Sequence, residues 1–168
     1  MSTRAEDLAT RFEQANQSVI EMVSGGDADL GVTCPAEGWT AAALGAHVGE
    51  SHYGIVEYLL KPIVAGQEIP PMPADAFDES NAQAAAKNAA LSKDEVVTML
   101  RDHGAMAAAY LRGLSDDDLD RTTKLSFFGD NPVPVSMVIE AVLIGHPIDH
   151  GNSLRAGLGH HAAHAVTA

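Results

Sequence analysis

Only one of the 168 residues, Cys34, is a cysteine, so no disulfide can form within the chain. A reducing, cytoplasmic setting is the expectation. Aromatic residues make up 5% of the sequence against 46% hydrophobic residues overall, so Ala, Val and Leu must fill the core. Basic residues are scarce: 10 Lys and Arg against 23 Asp and Glu leave a formal charge of -13. Phosphate binding runs on clustered Lys and Arg, so this balance argues against a nucleic-acid partner and against docking on an anionic membrane. Long hydrophobic runs are missing too. The longest, Met137 to Ile144, contains Glu140 and is too short to span a bilayer. The opening stretch MSTRAEDLATRFEQ is charged and has no apolar signal core.

What remains is helical patterning. The length suits one domain, 1–168, with a tail from about residue 158 expected to be flexible. Leu8, Phe12, Ala15, Val19 and Val23 recur at helical spacing and predict a first helix over 4–24, stopped by Gly25-Gly26. Thr40 is placed to cap a second helix running to about Ile63, with Leu44, Val48, Ile55 and Leu59 as its inner stripe. Gly66, Pro70, Pro71 and Pro73 exclude a helix over 66–76, and 77–90 reads as a short surface helix. Ser92 and Glu95 form a capping-box pattern opening a third long helix to about Leu114. Residues 115–134 read as a connection that Phe127 and Phe128 pack onto the bundle. Ser136 is the expected cap of a last helix running to about Ala156 and ended by Gly157 and Gly159. Four amphipathic segments without a strand period predict an all-α four-helix bundle.

Eight histidines stand out against this background. Random placement gives ~0.4 pairs at the helix-neighbour spacing of four, and the sequence has two, so context must separate them. His160 and His164, with His161, follow a Gly-Leu-Gly break and read as a solvated tail that picks up metal adventitiously. His146 and His150 continue the apolar stripe of Ile139, Val142 and Leu143, so both imidazoles can reach one point. On the residues alone two readings stand: two core histidines, each held by a hydrogen bond, or two ligands of one metal ion. His47, at the edge of the second helix's stripe, is the third candidate; three neutral nitrogens with an open position is how catalytic zinc is held. Such a set also suits nickel. Pro147, between the paired histidines, must bend the helix near Gly145. Glu50 and Ser51 follow His47 on the same face and are candidates to orient a ligand or shuttle a proton, and Arg155 is a candidate to hold a carboxylate. Cys34 reads as a small buried residue, His52 and Tyr53 as lining the bundle edge, and His103 as exposed.

The stretch Cys34-Pro-Ala-Glu-Gly-Trp-Thr-Ala-Ala-Ala-Leu-Gly-Ala-His47 resembles the opening motif of the DinB-like superfamily, which includes mycothiol-dependent maleylpyruvate isomerase-like proteins. Gly145-His-Pro-Ile-Asp-His150 resembles its closing pair of ligands, and Leu114-Ser-Asp-Asp-Asp-Leu119 is similar to the stretch before its final helix. The resemblance implies a four-helix bundle with a divalent metal held by one residue of helix two and two of helix four, carried here by His47, His146 and His150. It further implies a metal that activates a low-molecular-weight thiol such as mycothiol, for transfer to or isomerisation of a small electrophile. Other members imply the alternative, a non-enzymatic metal-binding bundle in stress response or small-ligand binding. A homodimer is expected from the way bundle faces pair. The segment 66–91 has no familiar counterpart.

Overall fold

The structure, a computed structural model, describes residues 2–73, 75–129 and 131–165, with side chains as far as residue 159. Four long helical rods form the bundle. The first, α1, is Thr3–Ser24, capped by the Ser2 hydroxyl, which accepts from the Ala5 amide. The second is α2 (Ala41–Ile55), a π-helical stretch Val56–Leu60 and the short α3 (Lys61–Val64). A surface helix, α4, covers Asp78–Asn88, and α5 covers Lys93–Arg112 behind the expected Ser92/Glu95 capping box. After α5 come α6 (Asp116–Asp120), with its own Ser115/Asp118 capping box, and two short strands, β1 (Thr122–Thr123) and β2 (Val133–Pro134). The last rod is α7 (Val135–Val138), a π-helical stretch Ile139–Ile144 and α8 (Gly145–Ala165).

Helices α1 and α2 each pack on both α5 and α8, so α1 sits diagonally across the bundle from α2, and α5 from α8. The stripes read from the sequence fill two apolar clusters. Leu8, Phe12, Leu60, Leu111, Leu119, Ile139 and Leu143 close one end. Val19, Val23, Leu44, Val48, Val96, Leu100 and Leu154 fill the other, beside the histidine cluster described below. Each fully buried Leu, Ile or Phe here removes enough apolar surface from water to stabilise by ~1.5–3 kcal/mol. No helix among the described residues is long and apolar enough to cross a membrane.

Several local expectations need correction. The connection 115–134 contains an antiparallel pairing, Thr122 with Pro134 and Thr123 with Val133, too short to give a strand period. Phe128 packs against the core, while Phe127 is half exposed. The last rod begins at Val135 after Pro134 rather than at Ser136, because the strand pairing leads straight into a proline whose φ of -69° already suits a helix start. Gly157 and Gly159 do not end α8. Gly157 serves close approach instead: a Cβ there would lie 3.0 Å from the Cys34 sulfur of the neighbouring loop. The tail side chains of His160, His161 and His164 lie outside the described residues.

Candidate metal centre

The site is assembled from three pieces of chain. The first is the loop between α1 and α2. Its backbone is pinned by the Cys34 amide donating to the Trp39 carbonyl at 2.7 Å and the Gly38 amide donating to the Cys34 carbonyl at 2.9 Å. That tight turn needs a left-handed residue, and Gly38 supplies it with φ of 72°. The turn brings Glu37 to His150 and Ser153 and Trp39 to His47. The second piece is α2 itself. Thr40 caps it as expected, its hydroxyl accepting from the Ala43 amide at 3.2 Å and donating to the Ala89 carbonyl at 3.0 Å. His47 stands two turns in from that cap.

The third piece is the start of α8. Pro147 has no N–H to give the Leu143 carbonyl, and its ring would crowd that oxygen. The chain answers with π-helical winding over Ile139–Ile144, in which the Gly145 amide reaches back to the Glu140 carbonyl. The same device precedes Pro62, where the Lys61 amide reaches back to Val56. The bend expected at Pro147 thus takes the form of a wider turn immediately before His146.

These pieces bring His47, His146 and His150 together. One ligand atom from each lies within 4.8 Å of the others, a grouping that can hold a metal ion. His47 and His146 face each other through their Nε2 atoms at 3.1 Å. The ring centroids of the three imidazoles are 4.5–5.1 Å apart. His150 Nδ1 donates to a Glu37 carboxylate oxygen at 3.0 Å, and the Ser153 hydroxyl donates to the other carboxylate oxygen. An ionised carboxylate only accepts, so the bond puts a proton on Nδ1 and, in the neutral ring, leaves the Nε2 lone pair free. The Trp39 ring lies edge-on to His47 at 5.3 Å and walls that side of the cluster.

The electrostatics favour neutral rings at His47 and His146. Burial pushes His47 down to about 4, with the neighbouring His150 adding repulsion. Burial likewise pushes His146 down to about 2, helped by His150, His47 and His52. Neutral imidazoles at physiological pH are what a divalent metal requires of its ligands. The donor set fits an imidazole-tolerant ion such as zinc or nickel: three nitrogens, no thiolate, and a carboxylate behind one ring. Cys34 is fully buried and its thiol is pushed up to about 11, first by burial and then by Glu37, so it stays protonated.

The other candidates are placed elsewhere. Glu50 is half-buried and accepts from Asn88 Nδ2 at 3.1 Å, tying α2 to α4. Ser51 is half-buried and makes no hydrogen bond to the three histidines. Arg155 is exposed and donates to Asn152 at 3.0 Å. His52, expected at the bundle edge, is fully buried, while Tyr53 is 42% exposed. His103 is half-buried rather than exposed and bonds the Gly49 carbonyl at 2.9 Å. Glu37 is the site residue that sequence reasoning missed. Its one signal was position: a carboxylate in a short turn just ahead of the helix that carries His47.

Known structures share this architecture. The crystal structure of the mycothiol-dependent maleylpyruvate isomerase matches over 93% of this chain at 21% identity and a TM-score of 0.68, and this chain spans 64% of that protein's length. The sibling lethal factor precursor DfsB matches over 96% of this chain and 98% of its own, at 19% identity and a TM-score of 0.71. YfiT from Bacillus subtilis, described as a probable metal-dependent hydrolase with an unusual four-helix bundle topology, matches over 95% of this chain and 90% of its own, at 17% identity and a TM-score of 0.65. At these identities the likeness shows the fold. A direct sequence comparison with curated proteins gives no match. Residues 7–165 match the DinB superfamily, and the chain, a four-helix bundle around three histidines, belongs to that superfamily.

Proposed function

We propose that this protein holds one divalent metal ion on His47, His146 and His150, and uses it to activate a low-molecular-weight thiol for transfer to, or isomerisation of, a small electrophile. The observation that carries the reading is the convergence of three half-buried imidazoles from two helices, with their ligand atoms within 4.8 Å. A bound divalent metal supplies Lewis acidity that strips the proton from a coordinated thiol and makes it a nucleophile at neutral pH. The protein then needs no nucleophilic side chain of its own, which fits a Cys34 that is buried and protonated. Glu37 holds His150 in the tautomer that leaves Nε2 free, and Ser153 holds Glu37. Trp39 limits water on the His47 side. Similarity to a mycothiol-dependent isomerase supports mycothiol as the thiol to try first.

The test is elemental analysis of full-length protein purified without chelator, with His160, His161 and His164 changed to alanine to remove adventitious tail binding. The expected result is about one equivalent of zinc, nickel or a similar ion, lost in His146→Ala. Protein that carries no metal and shows no thermal shift with any divalent ion would refute the reading.

A second reading is a metal-binding bundle without catalysis that takes up a small ligand; the chain spans 64% of the isomerase's length, so part of that protein has no counterpart here. Assay of the metal-loaded protein with mycothiol and simple dithiols against a panel of electrophiles separates the two. Conjugation or isomerisation that disappears in His47→Ala supports catalysis, and full metal loading with no turnover of any pair supports the second reading.

A further inference from the structure

A cleft of about 970 Å³, a size typical of small-molecule sites, opens at the end of the bundle away from the histidines. Ile63, on its lining, lies roughly 24 Å along the α2–α3 rod from His47 at about 1.5 Å per residue. The turn after α3 makes one wall and the chain from Arg121 to Gly129 the other. Both walls are fixed through the backbone. Gly66 turns the chain with φ of 77°, and the Gln67 amide donates to the Pro62 carbonyl at 2.9 Å. The Arg121 carbonyl accepts from the Val135 amide at 2.9 Å, and Thr122 and Thr123 pair with β2. Ser126 ties the walls together, its hydroxyl accepting from the Met72 amide at 3.2 Å and donating to the Met72 carbonyl at 3.0 Å. Ile63 and Leu125, each 2% exposed, give the cleft an apolar floor.

Two cations line this cleft in a chain whose formal charge is -13. Arg4, Arg11, Lys61 and Arg112 pair with carboxylates elsewhere on the molecule. The side chains of Arg121 and Lys124 make no ion pair or hydrogen bond among the described residues. The Arg121 guanidinium lies against the opposite wall, where a Cβ added to Gly66 would be 3.8 Å from its Nη1. The Asp118 carboxyl is held below the usual range first by Ser115 and only last by the Arg121 charge, and forms no contact pair with it. Glu68 is the one acidic side chain on the described lining, so the cleft keeps a surplus of positive charge.

We propose that this cleft is a second small-molecule site, which binds an organic carboxylate: Arg121 and Lys124 take the carboxylate, and Ile63, Ile69 and Leu125 take its hydrocarbon body. A guanidinium fork matches the two oxygens of a carboxylate in one plane. Glu68 makes the cleft a poorer host for a phosphate dianion than for a single negative charge. The apolar floor rewards a ligand that carries hydrocarbon rather than a bare inorganic ion. The inference does not depend on the metal reading, since the cleft shares no lining residue with the histidine cluster.

The test is a proton–nitrogen NMR titration of the full-length protein at neutral pH and constant ionic strength, with hexanoate as the probe. Saturable shifts are expected at the amides of Gly66 to Ile69 and Thr122 to Ser126. Hexanamide, which has the same shape without the charge, should bind at least about tenfold more weakly, as should hexanoate to Arg121→Gln or Lys124→Gln. Both substituted side chains are exposed, and the same spectra show whether the variants fold; the comparison of hexanoate with hexanamide needs no variant. No saturable shift, or equal binding of hexanoate and hexanamide, overturns the proposal. Inorganic phosphate that binds the same amides more tightly than hexanoate overturns the carboxylate assignment. Shifts confined to His47, His146, His150 and their neighbours would report a carboxylate taken up at the histidine cluster, and would overturn the second site while leaving the metal reading untouched.

Discussion

Glu37 accepts the Nδ1 proton of His150 at 3.0 Å across 113 positions of sequence. If His150 holds the proposed metal, this pairing with a carboxylate fixes the ring's tautomer and raises its basicity. Glu37→Gln keeps the size and loses the charge, and should weaken metal binding by about 10–100-fold. Chelator-competition titration measures this, and an unchanged dissociation constant would show that Glu37 does not act through His150.

Metal should also stabilise the fold. At a free metal concentration one hundred times Kd the gain is about 2.7 kcal/mol. The wild-type unfolding temperature should therefore rise on adding zinc or nickel, and His47→Ala and His146→Ala should show little or no rise. An equal rise in wild type and variants would place the metal elsewhere.

The metal-free protein should lose stability in acid. Folded-state values of His47, His52 and His146 are pushed down by burial to about 4, 3 and 2. The unfolded chain titrates these groups near ~6.5, so between the two ranges the unfolded state binds more protons. Stability is therefore complete above ~6.5 and falls as pH drops towards about 4 and below. Urea midpoints at a series of pH values from 8 to 4 should decline, with about three protons taken up on unfolding near pH 5 from these residues. A flat profile over that range would mean the rings are not buried neutral.

Two glycines should respond in opposite directions. In Gly104→Ala the new methyl meets Asn16 Nδ2 at 2.2 Å, and overpacking of this kind costs about 1–3 kcal/mol. Gly54 lies within α2 with nothing near a Cβ, so Gly54→Ala should stabilise by about 0.5–1 kcal/mol. Urea denaturation of both variants checks the pair.

The sequence showed the scaffold because helix signals are local. The capping boxes at Ser92 and the cap at Thr40 involve groups three residues apart, and the apolar stripes repeat within one or two turns. The His146/His150 pair was visible for the same reason. His52 was misplaced because one polar residue near an apolar stripe has no local mark of its partner. That partner, Asn16, comes from α1, 36 positions away. Glu50 shares a helix with His47 yet ends up bonded to Asn88, since it is the neighbouring helix that decides what a side chain at the edge of a stripe meets.

Spacing, capping and apolar periodicity thus determined that this chain makes a helical bundle and that His146 and His150 share a helix face. Tertiary packing alone decided that His47 faces His146, that Glu37 backs His150, and that Asn16 holds a buried His52. The physical reason is range. A turn of helix sets only the relation of residues three or four apart, while these contacts join side chains 36 to 113 positions apart and exist only once the rods have packed.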